Sequence, residues 1–156
     1  MSFATQTVLL VEDNQNDVLL LQRAMRRAQW TNPVQVVEHG DAAIAYLAGD
    51  APYDNRARYP LPGLVLLDLK LPRRSGLEVL AWLRAQPALR CLPVVVLTSS
   101  KEHRDVSQAY QLGVNSYLVK PGAPQDLQAL ITLVSSYWNA NELPPILPGP
   151  PSSAGT

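Results

Sequence analysis

The sequence predicts an α/β fold, a doubly wound parallel sheet of five strands with helices on both faces. Three observations carry this. Short apolar runs bounded by Gly and Pro recur along the chain, as in Leu64-Val65-Leu66-Leu67 between Gly63 and Pro72, and read as strands buried on both faces. Segments with apolar residues at helical spacing separate them, so that five strands alternate with five helices. The runs end on polar residues, Glu12-Asp13, Asp68, Thr98 and Lys120, rather than on hairpin turns. The strand order 2-1-3-4-5 with right-handed crossovers accommodates five such units.

The elements follow in order. The first strand spans Thr5 to Val11, and Asn16 or Asp17 caps a first helix running to about Ala28 on a stripe of Val18, Leu20, Leu21, Met25 and Ala28. Asn32-Pro33 breaks it before the strand Val34 to Val37. His39-Gly40-Asp41 turns into a second helix ending near Ala48. Gly49 to Gly63, with three prolines, reads as a loop longer than the usual connection of about 2–6 residues. The third strand ends on Asp68, and a third helix spans Gly76 to about Ala85. Pro93 to Leu97 forms the fourth strand, ending on Thr98-Ser99-Ser100. A fourth helix covers His103 to Leu112 with Gly113 just past its end. Ser116 to Val119 is the fifth strand, ending on Lys120-Pro121. Pro124 starts a last helix whose stripe is Leu127, Leu130, Ile131, Val134 and Trp138. This divides the chain into a domain over 1–138 and a Pro/Gly/Ser-rich tail over 139–156, too short for an output domain and expected to be flexible unless Leu143, Ile146 and Leu147 dock it.

Composition narrows the function classes. The chain has 156 residues, 47% of them apolar, which suits one packed domain. No apolar run approaches the roughly 20 residues needed to span a bilayer, and no secretory signal is visible, so a cytoplasmic protein is expected. Thirteen basic and 13 acidic residues balance to a formal charge of zero, which argues against DNA or RNA binding by phosphate neutralisation. The single cysteine, Cys91, excludes an intramolecular disulfide or a zinc site and reads as a buried or half-buried structural thiol.

The strand ends then gather at one edge of the sheet. Two unit charges roughly 4 Å apart repel by about 4 kcal/mol at an effective dielectric of about 20. Carboxylates from Glu12, Asp13 and Asp68 are therefore tolerable there only with a cation and a nearby ammonium. Oxygen donors suit Mg²⁺ or Mn²⁺ better than Zn²⁺. A hydroxyl at Thr98 and the ammonium of Lys120 suit phosphoryl oxygens, and the carboxylate of Asp68 can serve as the nucleophile of phosphoryl transfer.

Val11-Glu12-Asp13-Asn14, Leu66-Leu67-Asp68-Leu69-Lys70-Leu71-Pro72 with Gly76, Leu97-Thr98-Ser99-Ser100 and Tyr117-Leu118-Val119-Lys120-Pro121 together resemble the receiver domain of two-component response regulators, a flavodoxin-like (βα)5 fold. The likeness extends from about Thr5 to Trp138. It implies that Asp68 accepts a phosphoryl group from a histidine kinase. It also implies that Asp13, Asp68 and the backbone carbonyl of Lys70 bind Mg²⁺, with Glu12 acting mainly through water, and that Thr98 and Lys120 contact the phosphoryl group. Tyr117 matches the family's switch aromatic, and Lys120-Pro121 is expected to be a cis peptide. Within the family, the long loop before Leu64, the segment Tyr110 to Leu118 and the Tyr137-Trp138 ending are similar to those of short stand-alone regulators paired with phytochrome kinases. Lys70 departs from the Asn or Met common there. A homodimer through the fourth helix, fifth strand and fifth helix is expected, with Tyr137 and Trp138 as interface residues. Arg23, Arg26 and Arg27 read as a solvated face, with kinase docking as the functional alternative.

Competing classes fit less well. An aspartyl-nucleophile phosphatase of the haloacid dehalogenase type wants a second aspartate where Lys70 stands. A flavin carrier wants a glycine- and hydroxyl-rich loop where Glu12-Asp13 stand. Enzymatic turnover of an external substrate is therefore not expected, only self-catalysed phosphotransfer and dephosphorylation. A receiver fold acting as a binding module without phosphorylation is the remaining alternative.

Overall fold

The computed structural model describes residues 2–145. After a 3₁₀ turn at Phe3–Thr5 come β1 (Val8–Val11), α1 (Gln15–Arg27), β2 (Val34–Val37), α2 (Gly40–Ala48), β3 (Leu64–Leu67), α3 (Gly76–Ala85), β4 (Val94–Thr98), α4 (His103–Gln111), β5 (Ser116–Val119) and α5 (Pro124–Ala140). The strands form one parallel sheet in the order β2-β1-β3-β4-β5. The three inner strands are buried at every residue, as their unbroken apolar runs require, whereas the edge strands β2 and β5 are half-buried.

Alternate side chains feed two apolar layers. Leu10, Leu64 and Leu66 pack with Leu21, Met25, Ile131 and Trp138 on the side of α1 and α5. Leu9, Val65 and Leu67 pack with Tyr46, Leu47, Leu80 and Leu83 on the side of α2 and α3. No helix among the described residues is long and apolar enough to cross a membrane.

Several boundaries differ from expectation, each for a local reason. β1 begins at Val8 rather than Thr5, because Phe3–Thr5 winds a turn that buries Phe3 edge-on against Trp30, with ring centroids 5.8 Å apart. The α1 cap is Asn14 rather than Asn16 or Asp17: its side-chain oxygen accepts the Asp17 backbone N–H at 3.1 Å. α5 runs to Ala140, and Leu143 beyond it is buried in the α1–α5 layer, so the start of the tail is docked. Ile146 and Leu147 lie outside the described residues. The Lys120-Pro121 peptide is trans, the isomer an X–Pro bond intrinsically favours by ~0.5–1 kcal/mol, and the cis bond among the described residues is Ala51-Pro52.

The long connection between α2 and β3 has no periodic pattern, yet it is a built element. The Arg56 guanidinium donates to the carbonyls of Tyr46 (2.7 Å), Leu47 (2.9 Å) and Tyr59 (3.1 Å), so it satisfies the open end of α2. Tyr46, Tyr53 and Tyr59 stack around it with centroids 5.2–6.0 Å apart, and the Tyr46 hydroxyl donates to the Pro60 carbonyl at 2.8 Å.

α3 starts directly against the end of β3. Ser75 and Glu78 form a reciprocal capping box, and Gly76 follows the cap. A Cβ at Gly76 would lie 2.2 Å from the Asp68 carbonyl oxygen and 2.7 Å from the Leu69 Cα, both backbone atoms that cannot swing away. Gly76→Ala should therefore lower stability by about 1–3 kcal/mol, as overpacking does. Urea denaturation measures this, and an unchanged midpoint would mean that α3 is not seated on the Asp68 backbone as described.

Candidate functional site

The sheet register brings the ends of β1 and β3 level with each other, and the ends of β4 and β5 level two residues further on. Val11 pairs with Leu67, Leu67 with Val96, and Thr98 with Val119. The ladder continues one residue further: the Asp68 N–H donates to the Val11 carbonyl (3.1 Å) and the Lys120 N–H to the Thr98 carbonyl (2.8 Å). Glu12, Asp68, Thr98 and Lys120 thus project from a rigid platform.

Their side chains meet. The Lys120 Nζ donates to Glu12 Oε2 at 2.5 Å, Asp68 Oδ2 at 2.8 Å and Asp17 Oδ2 at 2.9 Å. Thr98 Oγ1 donates to Asp68 Oδ1 at 2.8 Å, and the backbone N–H of Lys70 reaches the same oxygen at 3.1 Å. Both carboxylate oxygens of Asp68 therefore accept from fixed donors. Glu12 Oε1 accepts from the Asn14 backbone N–H at 3.1 Å. Asp68 is 7% exposed, Glu12 1% and Thr98 0%.

This much charge in so little water separates the two strand-end carboxyls. Burial, and then the proximity of Asp68, push Glu12 from 4.5 up to about 7. Burial also opposes ionisation of Asp68, but hydrogen bonds from Glu12, Lys120 and Thr98 outweigh it and hold that carboxyl below its ordinary value. Lys120 is pushed up: burial disfavours its charge, and the surrounding carboxylates more than compensate. Near neutral pH the site therefore holds an anionic Asp68, a charged Lys120 and a Glu12 poised between its two forms.

Other expected residues sit around this core. Asp13 and Lys70 are exposed, and so is Cys91, which lies at the surface rather than buried or half-buried as expected. Tyr117 is half-buried, and its hydroxyl donates to the Ser100 carbonyl at 2.9 Å. Tyr137 is 58% exposed, but Trp138 is 6% exposed and packs in the α1–α5 layer. Trp138 is thus corrected from interface to core, since one helical step turns a side chain by about 100°. The residue missed in the sequence is Asp17. It stands in the first turn of the helix that follows the acidic strand end, where an acid is already accounted for by the helix dipole.

The three carboxylates gathered on Lys120 are Glu12, Asp17 and Asp68. Among the described residues, no group of three or more His, Cys, Asp or Glu side chains is arranged to hold a metal ion. The donor chemistry nonetheless suits a hard divalent cation, because every candidate ligand is an oxygen.

Stability should carry this signature. The folded value of Glu12 lies above its unfolded one, so its contribution is fully present below pH 4.5 and is lost as pH rises through about 7. Glu12→Gln does not ionise. Relative to the wild type in metal-free buffer, it should gain up to about 3 kcal/mol between pH 4.5 and 8, measured by urea denaturation. A pH-independent difference would remove the poised Glu12.

Comparison with known proteins agrees with this geometry. Residues 8–132 match the family model described as response regulator receiver domain. Response regulator Rcp1 of Synechocystis sp. is 38% identical over 133 residues, covering 85% of this chain and 88% of that protein. The structure of its Mn²⁺-bound form superposes with a TM-score of 0.82 over 90% of this chain and 99% of that chain, at 37% identity. The phosphorylated cyanobacterial phytochrome response regulator RcpA matches with a TM-score of 0.84 at 35% identity, covering 90% of this chain and 99% of that one. A probable methanogenesis regulatory protein, FilR2 of Methanothrix harundinacea, is 40% identical over 131 residues, 84% of this chain and 82% of that protein. With the acidic strand ends, the hydroxyl and the lysine meeting at one sheet edge, the chain belongs to the response regulator receiver domain family.

Proposed function

We propose that Asp68 accepts a phosphoryl group from a phosphohistidine of a sensor histidine kinase, and that the receiver surface passes the change on. The observation that carries this is the setting of Asp68: a buried carboxylate held anionic, with Thr98 Oγ1 on one oxygen and Lys120 Nζ on the other. A carboxylate oxygen attacks phosphorus, the P–N bond to the kinase imidazole breaks, and an acyl phosphate forms on Asp68. Thr98 and Lys120 then donate to phosphoryl oxygens from positions already fixed by β4 and β5, which is where developing charge needs them. Mg²⁺ held by Asp13, Asp68 and the Lys70 carbonyl, with Glu12 through water, would supply charge neutralisation at those oxygens. The Mn²⁺-bound relative supports a divalent ion there.

A phytochrome-type kinase is the proposed partner. The support is RcpA, a phytochrome response regulator alike over 90% of this chain. Output runs through Tyr117, which ties β5 to the Ser100 loop beside Thr98. It ends at a homodimer face on α4, β5 and α5, where Tyr110 (52%), Leu133 (66%) and Tyr137 (58%) are exposed apolar side chains.

Two experiments test this. In the first, intact mass after incubation with acetyl phosphate should show one added phosphoryl group that needs Mg²⁺ and is absent in Asp68→Asn. Lys120→Ala should slow the gain by roughly 10²-fold. A wild type that gains nothing from acetyl phosphate or from a phytochrome kinase would sink the proposal, and equal transfer from unrelated kinases would remove the phytochrome pairing. In the second, sedimentation at tens of micromolar should give a dimer for the wild type and a monomer for Leu133→Glu or Tyr137→Glu. A monomeric wild type, phosphorylated or not, would rule the face out.

A further inference from the structure

We infer that Asp17 is a positioning residue that keeps the Lys120 ammonium in place while Asp68 is phosphorylated, an inference that rests on Asp68 being the phosphoacceptor. An ammonium has three donors, and each meets a carboxylate here: Glu12 at 2.5 Å, Asp68 at 2.8 Å and Asp17 at 2.9 Å. Two of these partners have other duties in the reaction. Asp68 gives an oxygen to phosphorus, and Glu12 belongs to the proposed cation environment. Asp17 has neither duty, so it is the partner that Lys120 retains from start to finish. Lysine's flexible four-carbon stem makes such a tether useful, because an untethered ammonium spreads over many rotamers.

The placement of Asp17 suits the task. It comes from a helix rather than a strand end, so the sheet can carry Glu12 and Asp68 without moving it. Its side chain is 36% exposed beside a Lys120 that is 13% exposed, at the mouth of the site. Its backbone N–H is held by Asn14 Oδ1, and the Asn14 N–H holds Glu12, so one short turn fixes two of the three Lys120 partners. The plainer role for Asp17 is that of any first-turn acid on a helix dipole. Asp126, exposed in the first turn of α5, has only that plainer role and serves as the control.

The test uses the full chain with Mg²⁺. Beryllofluoride binding is measured by calorimetry and acetyl phosphate uptake by intact mass. Asp17→Ala should weaken the first and slow the second by roughly fivefold, as loss of a partly exposed charged hydrogen bond does, with affinity for Mg²⁺ alone unchanged. Asp17→Asn, which keeps an acceptor oxygen, should recover most of both, and Asp126→Ala should match the wild type. If Asp17→Ala is too unstable to assay, Asp17→Ser, short of Nζ and at home near helix starts, reads the same effect. Wild-type values in Asp17→Ala or Asp17→Ser would overturn the inference and leave the phosphoacceptor standing. Weakened Mg²⁺ binding would also overturn it, by making Asp17 part of the cation environment. Failure of the wild type to take phosphoryl at Asp68 from acetyl phosphate or a kinase would overturn both.

Discussion

The Lys120 ammonium is the interaction on which the site depends. Three carboxylates converge at one sheet edge, two of them almost wholly buried, and that arrangement is untenable without an internal cation. A buried unpaired charge either neutralises or unfolds its surroundings. Here the outcome is divided: Glu12 is pushed toward its neutral form and Asp68 is held as the anion. The division has chemical value, because the carboxyl proposed above as the nucleophile is the one kept ionised. It also makes the acidic edge hostage to β5, the edge strand that delivers Lys120 and is joined to the rest of the sheet only through β4.

A second set of bonds leads away from Asp68. Thr98 donates to it, the Ser100 N–H approaches Thr98 Oγ1 at 3.5 Å, the Ser100 carbonyl accepts from Tyr117, and the Ser100 hydroxyl donates to Asp105 on α4 at 2.6 Å. These bonds connect Thr98 through the Ser100 loop to both α4 and β5.

The sheet was legible in the sequence because β1, β3 and β4 are unbroken apolar runs that only a doubly covered parallel strand accommodates, and the site was legible because its polar residues sit where those runs stop. Features that failed to read were those fixed by distant contacts. Asp17 carried a sufficient local explanation, and nothing nearby in sequence pointed to a lysine more than a hundred residues on. The α2–β3 connection lacked a period, since Arg56 organises it by finding carbonyls at the end of a helix rather than by any repeat. Trp138 was legible in one respect and misread in another. It falls on the same stripe as Leu127, Ile131 and Val134, which puts it in the core, while its neighbour Tyr137 points to the outside.

The distance along the chain between the partners has a consequence for synthesis. Lys120 lies 108 residues after Glu12 and 52 after Asp68, so on the ribosome both acids emerge long before the base that makes their burial tolerable. A nascent chain that has released β1 and β3 but not β5 carries an acidic edge with no counter-charge, which discourages early closure of that end of the sheet. The charge balance of that edge is thereby completed only when β5, the last strand of the sheet, has docked.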